Sequence, residues 1–406
     1  MTTPASMPEP AANGRLGLPL LSLPMGALLG AQFLSALADN ALFILAIALV
    51  KQGGGGHLVP YVQSAFVVAF ILLAPFAGPF ADALPKGRVL MIGNGVKLAG
   101  AVGLALGVHP LLAYNLVGVG ATVYSPAKYG ILSQMFTPDR LVKANGLLEG
   151  STIAAILLGV VLGGLLADHS LEGALWITVG LYTLAAAVNL LIPRLPPEHP
   201  LTAISPLALV REFIASLRSL WNNVDARFSL LGTSLFWGAG STLRLMLFAW
   251  VPVALGITDN QMPANLMGVV SIGIVIGAGL AGLLVRLEAV NRALIGGLAL
   301  GPAALLLAVT GDLYLAIALL VVVGVAGGFF VVPLNALLQE RGHGSVGAGH
   351  ALAVQNFWEN GAMFVFSLLY GHAQAAGAPV APSVAAFGLF LLIGAGALTG
   401  WRLRRA

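Results

Sequence analysis

Charge is scarce in this sequence, and cysteine is absent. Of its 406 residues only 8% are charged, whereas 58% are hydrophobic and 52 are glycine. Soluble domains carry roughly 25% charged residues, and disordered chains are poor in hydrophobic ones, so the composition excludes both classes. The lack of Cys excludes a disulfide scaffold, a thiolate metal site and a cysteine nucleophile. A polytopic membrane protein is therefore expected.

Sequence patterns that mark enzyme chemistry are also missing. The chain has no Gly-x4-Gly-Lys-Ser/Thr phosphate loop, no His-Glu-x-x-His zinc site, and no His with an Asp five positions further on. We therefore expect neither an enzyme, nor a metal ion or other cofactor, nor a nucleic-acid partner. The function has to come from binding and conformational change.

Apolar runs of membrane length fill most of the chain. A helix that crosses a bilayer needs about 20 apolar residues. This length predicts an all-α membrane protein with twelve spans, at 24–50, 58–82, 88–107, 110–136, 142–168, 171–192, 228–254, 264–285, 291–310, 313–338, 345–371 and 379–401. Residues 1–23 are interpreted as a flexible tail. The run after Arg15 has full membrane length, so we interpret it as a retained span rather than a signal peptide.

The basic residues predict the orientation. If the N-terminus is cytoplasmic, nearly all Lys and Arg outside the spans fall on the cytoplasmic side, and Lys51 alone falls on the other side. The positive-inside rule then places both termini in the cytoplasm.

A polar stretch at 193–227 divides the spans into a six-helix bundle at 24–192 and another at 228–401, followed by a tail at 402–406. Pro193 and the prolines after it break the sixth helix. Residues 207–221 carry apolar side chains at helical spacing, which predicts an amphipathic helix on the cytoplasmic membrane surface; a partner-binding helix is the alternative. Gly120 and Pro126 recur as Gly327 and Pro333, which indicates a duplicated transporter.

The loop between the second and third spans carries Gly78, Asp82, Lys86, Gly87 and Arg88. Gly-x-x-x-Asp followed by a glycine between basic residues resembles the loop signature of the major facilitator superfamily, and the resemblance implies the fold of that superfamily. Asp82, Lys86 and Arg88 are expected to form a cytoplasmic latch that breaks in one of two states. Simple positive-inside topology is the alternative explanation.

Polar residues inside the spans form stripes at helical spacing. Charges inside a bilayer are costly and indicate function. The candidate substrate-binding residues are Asp39, Tyr124, Lys128, Asn145, Glu149, Arg244, Asn335, Gln355, Asn356 and Glu359. An alternative is that such charges only pin the bundle, for example by pairing Asp39 with Arg244. Lys97 lies on the third span, and we assign it a structural role.

Longer blocks resemble one family within that superfamily. Residues 32–42, 124–132, 141–149, 236–244, 331–341 and 353–360 are similar to the bacterial lysophospholipid transporters. The resemblance implies flipping of 2-acyl-glycerophosphoethanolamine and related lysophospholipids from the periplasmic to the cytoplasmic leaflet of the inner membrane. It also implies a separate acyltransferase with an acyl-carrier-protein synthetase, which re-acylates the lipid.

Such a substrate suits the candidate residues. Arg244 can donate two hydrogen bonds to a phosphate and Lys128 can add a charge, while Asp39, Glu149 or Glu359 can meet an ammonium group. In the lipid-free protein Asp39 is expected to pair with Arg244.

Two alternative functions stay open. One is a proton-coupled drug or metabolite antiporter, indicated by Gly150, Gly159 and Gly163, although Gly164 replaces the proline of that motif. The other is a non-transporting scaffold for a phospholipid-remodelling enzyme.

Overall fold

A computed structural model gives the fold and describes residues 16–136, 138–193, 195–197, 205–259, 261–343, 345–346 and 348–405. Within these ranges the chain forms two short 3-10 segments, Gly56–Leu58 and Leu287–Ala293, and thirteen α-helices. The helices are α1 (Leu23–Gln52), α2 (Val59–Ala83), α3 (Lys86–Ala105), α4 (Pro110–Met135), α5 (Pro138–His169), α6 (Leu171–Asn189), α7 (Pro206–Asn222), α8 (Val224–Leu255), α9 (Gln261–Leu284), α10 (Leu294–Val309), α11 (Leu313–His343), α12 (Ala348–Ala375) and α13 (Val380–Leu403).

Each predicted span corresponds to one α-helix, and the ninth also includes part of the 3-10 segment before the 16-residue α10. α7 corresponds to the predicted amphipathic segment. Among the described residues, ten helices are long and apolar enough to cross a membrane by length and composition. α4 and α12, with 26 and 28 residues, fall outside this set. The all-α membrane fold is confirmed, whereas the count of twelve spans stays a prediction.

Proline and serine mark where several helices begin. α1, α2, α4 and α7 carry proline in the first turn, where a missing N–H costs no hydrogen bond. The Ser170 and Ser205 hydroxyls cap α6 and α7 by accepting from the N–H groups of Gly173 and Ala208, each at 3.2 Å. α6 ends at Asn189, shortly before Pro193.

We refer to α1–α6 as the first half and to α8–α13 as the second half. In the first half α3 packs on α4, and α1 packs on α5 and α6; in the second half α9 packs on α11, and α10 on α13. Glycine allows the closest of these contacts. A Cβ atom at Gly277 of α9 would meet the backbone of Val325, and one at Gly324 of α11 would meet the backbone of Val270.

The two halves contact each other at more than one level of the bundle. We call the end where α1 begins and α13 ends the termini end, and the other the opposite end. One large hydrophobic cluster, which runs along the length of the second half, contains residues of both halves. At the opposite end the Lys51 ammonium of α1 lies 5.0 Å from the centre of the Phe248 ring of α8. At the termini end a separate cluster, which includes Met25, Ile131 and Met135, contains first-half residues only. A third cluster, near the termini end, joins Ala74 of α2 to Val354 of α12. The halves therefore touch each other at the opposite end and, through α2 and α12, nearer the termini end as well.

The linker helix α7 packs its apolar face on the bundle. Phe213 is buried in a cluster that includes Ala74 of α2 and Val354 of α12. The Phe213 ring meets Phe357 edge-on, with ring centres 5.5 Å apart. Part of the apolar face of α7 therefore packs on protein from both halves, whereas Leu207 and Ile214 are exposed. The position of α7 on the membrane surface stays a prediction.

Candidate substrate site between the two halves

Asp39 lies in the middle of α1 and is held by side chains of two other helices. Its Oδ2 accepts from Lys97 Nζ of α3 and its Oδ1 from the Tyr182 hydroxyl of α6, both at 2.7 Å. Lys97 also donates to Ser35 Oγ at 3.0 Å and lies 4.8 Å from the centre of the Tyr124 ring. Lys97 is 3% exposed and Asp39 is 17% exposed. The carboxylate therefore has a buried counter-charge within its own half.

The expected pairing of Asp39 with Arg244 is wrong. Arg244 Nη2 donates instead to Asn40 Oδ1 at 3.2 Å, and its guanidinium carbon lies 4.4 Å from the centre of the Phe43 ring. Consecutive helical residues point about 100° apart, so Asn40 faces α8 while Asp39 faces α3 and α6. Lys97, which the sequence suggested was only structural, supplies the charge that Asp39 needs.

Arg244 is a cation at the contact between the halves. Among the described residues it forms no ion pair with a carboxylate; its polar contact is the neutral amide of Asn40. A guanidinium carries five N–H donors in a planar fork, and one face of this fork rests on an aromatic ring. The remaining donors suit an oxyanion such as a phosphate, which accepts two parallel hydrogen bonds.

A second polar group joins α11 to α12, nearer the termini end. Gln355 Nε2 donates to Asn335 Oδ1 and to Glu359 Oε1, both at 2.7 Å. Glu359 is buried, as is Lys128 of α4, whose ammonium lies 4.4 Å from the centre of the Tyr129 ring. The structure thus brings together three residues that the sequence placed on two separate stripes.

The sequence profile of the Major Facilitator Superfamily matches residues 28–367. The lysophospholipid transporter LplT of Serratia proteamaculans is 54% identical over 353 residues, which cover 87% of this chain and 89% of the relative. The lysophospholipid transporter LplT of Escherichia coli is 51% identical over 386 residues, 95% of this chain and 97% of the relative. The chain belongs to the LplT family of the Major Facilitator Superfamily.

Solved structures share the fold at low sequence identity. A POT family transporter has a TM-score of 0.76 at 12% identity, covering 94% of this chain and 96% of its own. The nucleoside transporter NupG has a TM-score of 0.72 at 14% identity, covering 93% and 100%. At such identities the likeness shows the superfamily fold alone.

Other residues that matched LplT blocks lie around these two groups. Tyr124 is buried, and its hydroxyl has no hydrogen-bond partner among the described residues. Asn356 lines a narrow cleft with Thr122 and Pro126 of α4. The side chains of Asn145 and Glu149 fall outside the described residues, so their predicted roles stay predictions.

The predicted latch is described only in part. The Asp82 side chain lies outside the described residues. Lys86, the first residue of α3, is 1% exposed and packs beside Gly130 of α4, whereas Arg88 is exposed. The latch therefore stays a prediction for this LplT-family chain.

The glycines that favoured an antiporter have a packing role here. A Cβ atom at Gly159 would meet the backbone of Leu37, and one at Gly163 would meet the backbone of Ala41. Both glycines thus let α5 approach α1, while Gly150 faces open space. This packing accounts for Gly159 and Gly163 without an antiporter mechanism.

Sequence reasoning missed three residues of the site, namely Asn40, Phe43 and Tyr182. Asn40 directly follows Asp39, and a polar residue inside a span was a sufficient signal for it. Tyr182 also carries a hydroxyl in mid-span, but no stripe on α6 indicated it. Phe43 is an ordinary apolar residue by sequence, so only the packing of α8 against α1 identifies it.

Proposed function

We propose that this chain moves lysophospholipids, among them 2-acyl-glycerophosphoethanolamine, from the periplasmic to the cytoplasmic leaflet of the bacterial inner membrane by alternating access. Relatives named lysophospholipid transporters, at 51% and 54% identity over most of the chain, support the substrate class. The observation that carries the proposal is Arg244. Arg244 belongs to the apolar helix α8, and its guanidinium lies at the contact between the halves. Its hydrogen-bond partner is the neutral amide of Asn40.

The head group of the lipid is matched by the charges on the two halves. We place the phosphate on the Arg244 guanidinium and the ammonium of an ethanolamine head group on the Asp39 carboxylate. A carboxylate has about four acceptor positions, and the contacts from Lys97 and Tyr182 use two of Asp39's. The ammonium can therefore bind without displacing Lys97.

The group of Asn335, Gln355 and Glu359 offers a second polar station nearer the termini end. With both termini in the cytoplasm, as the positive-inside rule predicts, this station lies on the cytoplasmic side of Arg244. The head group would then pass from Arg244 to this station before release. A separate acyltransferase with an acyl-carrier-protein synthetase would re-acylate the released lipid.

Substitution of Arg244 tests the proposal. Arg244→Lys keeps the charge but loses the planar fork, so flipping of lysophosphatidylethanolamine in reconstituted vesicles should fall clearly. Arg244→Ala should reduce flipping by about ten- to a hundredfold, because a charge-assisted hydrogen bond contributes about 1.5–3 kcal/mol.

Ser241→Ala is the matched control on the same helix. The Ser241 hydroxyl donates to the backbone carbonyl of Gly238, so its removal should leave flipping near the wild-type rate. Unfolding temperatures of all variants show whether they fold. A well-folded Arg244→Ala protein that flips the lipid at a near-normal rate would return Arg244 to a structural role.

A further inference from the structure

Two arginines at the termini end of the second half lie against tryptophan rings. The guanidinium carbon of Arg227, in the first turn of α8, is 4.9 Å from the centre of the Trp401 ring and 5.9 Å from that of Trp221. Arg405 lies 5.9 Å from the centre of the same Trp401 ring. Trp221 in turn stacks on Trp358, with ring centres 4.8 Å apart and planes 8° from parallel. We call these five residues the Trp–Arg layer.

Neighbouring arginines at the same end have a carboxylate partner. Arg341 Nη2 lies 2.8 Å from Asp225 Oδ2, and Arg402 Nη1 lies 2.6 Å from Asp225 Oδ1. Arg402 Nε also donates to Asn291 Oδ1 at 2.9 Å. Asp225 therefore pairs with two arginines. These two guanidinium groups have a carboxylate acceptor within the protein.

In the part of the chain that the structure describes, the arginines of the Trp–Arg layer have no such partner. Among the described residues, neither Arg227 nor Arg405 forms an ion pair, and their contacts are the aromatic rings. Arg227 Nε is buried from solvent without a hydrogen-bond partner in the described chain. A desolvated charged donor without an acceptor is costly, so this arrangement calls for an acceptor from outside the chain.

We infer that the Trp–Arg layer binds the phosphate of an anionic phospholipid such as phosphatidylglycerol. Tryptophan favours the level of the lipid head groups, which is where the ends of membrane helices lie. The ring contacts hold the two guanidinium groups close together beside Trp401, and a planar guanidinium can bind a phosphate with two hydrogen bonds. The net negative charge of the lipid adds attraction to two uncompensated arginines. This site is separate from Arg244 and does not depend on the transport proposal.

The test measures the affinity of the full chain for phosphatidylglycerol in detergent by native mass spectrometry. Arg227→Gln should weaken binding of the tightest phosphatidylglycerol by about tenfold, and Arg405→Gln should also weaken it. Arg404→Gln is the matched control, because this substitution removes the same charge next to Arg405. Arg404 is exposed, and the ring contact at Trp401 belongs to Arg405. It should leave the tightest site nearly unchanged.

Three outcomes would overturn the inference. Equal weakening by Arg404→Gln and Arg227→Gln would indicate general charge attraction. Unchanged affinity in both layer variants would exclude the site, and Arg405→Gln keeps the test valid if Arg227→Gln fails to fold. Displacement of the lipid by inorganic phosphate at equal concentration would assign the layer to a free anion rather than to a lipid.

Discussion

At the scale of single residues, Lys97 holds together a buried polar network in the centre of the first half. It pairs with Asp39 and donates to Ser35, whose hydroxyl donates to Asn94 Oδ1 at 2.7 Å. All these residues lie on α1 and α3 of the first half, so the network can stay intact when the halves move. Arg244, by contrast, reaches across from α8 to α1. The contact that has to change during transport is therefore the one that we assign to the lipid phosphate.

The Lys97–Asp39 pair gives a prediction about stability. Asp39→Asn should lower the free energy of unfolding by about 3–5 kcal/mol, because it leaves the buried Lys97 ammonium without its counter-charge. Lys97→Met should lower it by a similar or smaller amount, because the Asp39 carboxylate that it leaves unpaired is only partly buried. The double variant should lose clearly less than the two single losses combined, since no charge is then uncompensated. Unfolding of the four proteins in detergent measures this cycle. Strictly additive losses would show that the ion pair is not an energetic unit.

Some residues of the candidate site could be proposed from the sequence, but others, and the contacts among them, could not. Helical spacing identified Asp39, Arg244 and the residues of α11 and α12, because polar side chains in a membrane span are costly without a role. Spacing within one helix does not give the distance to another helix. The partner of Asp39 therefore had to come from the packing of α3 on α1, which brings Lys97 to 2.7 Å.

At the scale of elements, the sequence predicted that α7 is a helix but not which residues it contacts. Apolar spacing predicted a helix at 207–221, and the structure has Pro206–Asn222. An amphipathic face has the same pattern whether it covers lipid or protein, so the sequence favoured the membrane surface. In the structure Phe213 packs against Phe357 and Trp221 against Trp358, while Leu207 and Ile214 stay exposed. Those aromatic residues lie on α12, far away in sequence, and no local pattern connects them with α7.

The contact between α9 and α11 gives a second prediction. Gly277→Ala should lower the free energy of unfolding by about 1–3 kcal/mol, because its Cβ would meet the Val325 carbonyl and force the helices apart. Gly279→Ala is the matched control two residues away, where a Cβ meets open space. It should be neutral or stabilising by up to about 1 kcal/mol, as alanine favours a helix over glycine. Thermal unfolding in one detergent compares the two, and equal effects would contradict close packing at Gly277.

At the scale of the whole molecule, length and hydropathy were sufficient for the helices but not for the conformational state. A membrane span has a fixed thickness, and prolines and polar turns mark its ends, so the helix bounds follow closely from the sequence. Which end of the bundle is closed depends on two packings of similar free energy. In the structure the halves touch in the part of the bundle toward the opposite end, where Gly268 of α9 packs against Leu157 and Val161 of α5.

Alternating access requires that the contacts between the halves at the opposite end break, and this can be tested by cross-linking because the chain contains no native cysteine. A Cβ atom at Gly371 of α12 would lie 3.2 Å from the Cβ of Pro60 in the first turn of α2. Disulfides join Cβ atoms about 3.5–4.5 Å apart, so Pro60→Cys with Gly371→Cys needs only a slight shift to form one. Oxidation should then cross-link the opposite end and nearly abolish lysophospholipid flipping in reconstituted vesicles, and a reductant should restore flipping.

The two single-cysteine proteins are the controls, and their flipping rates should respond to neither treatment. A fully cross-linked protein that still flips the lipid at its reduced rate would show that transport does not need this end to open, and the two halves would then have to move in another way.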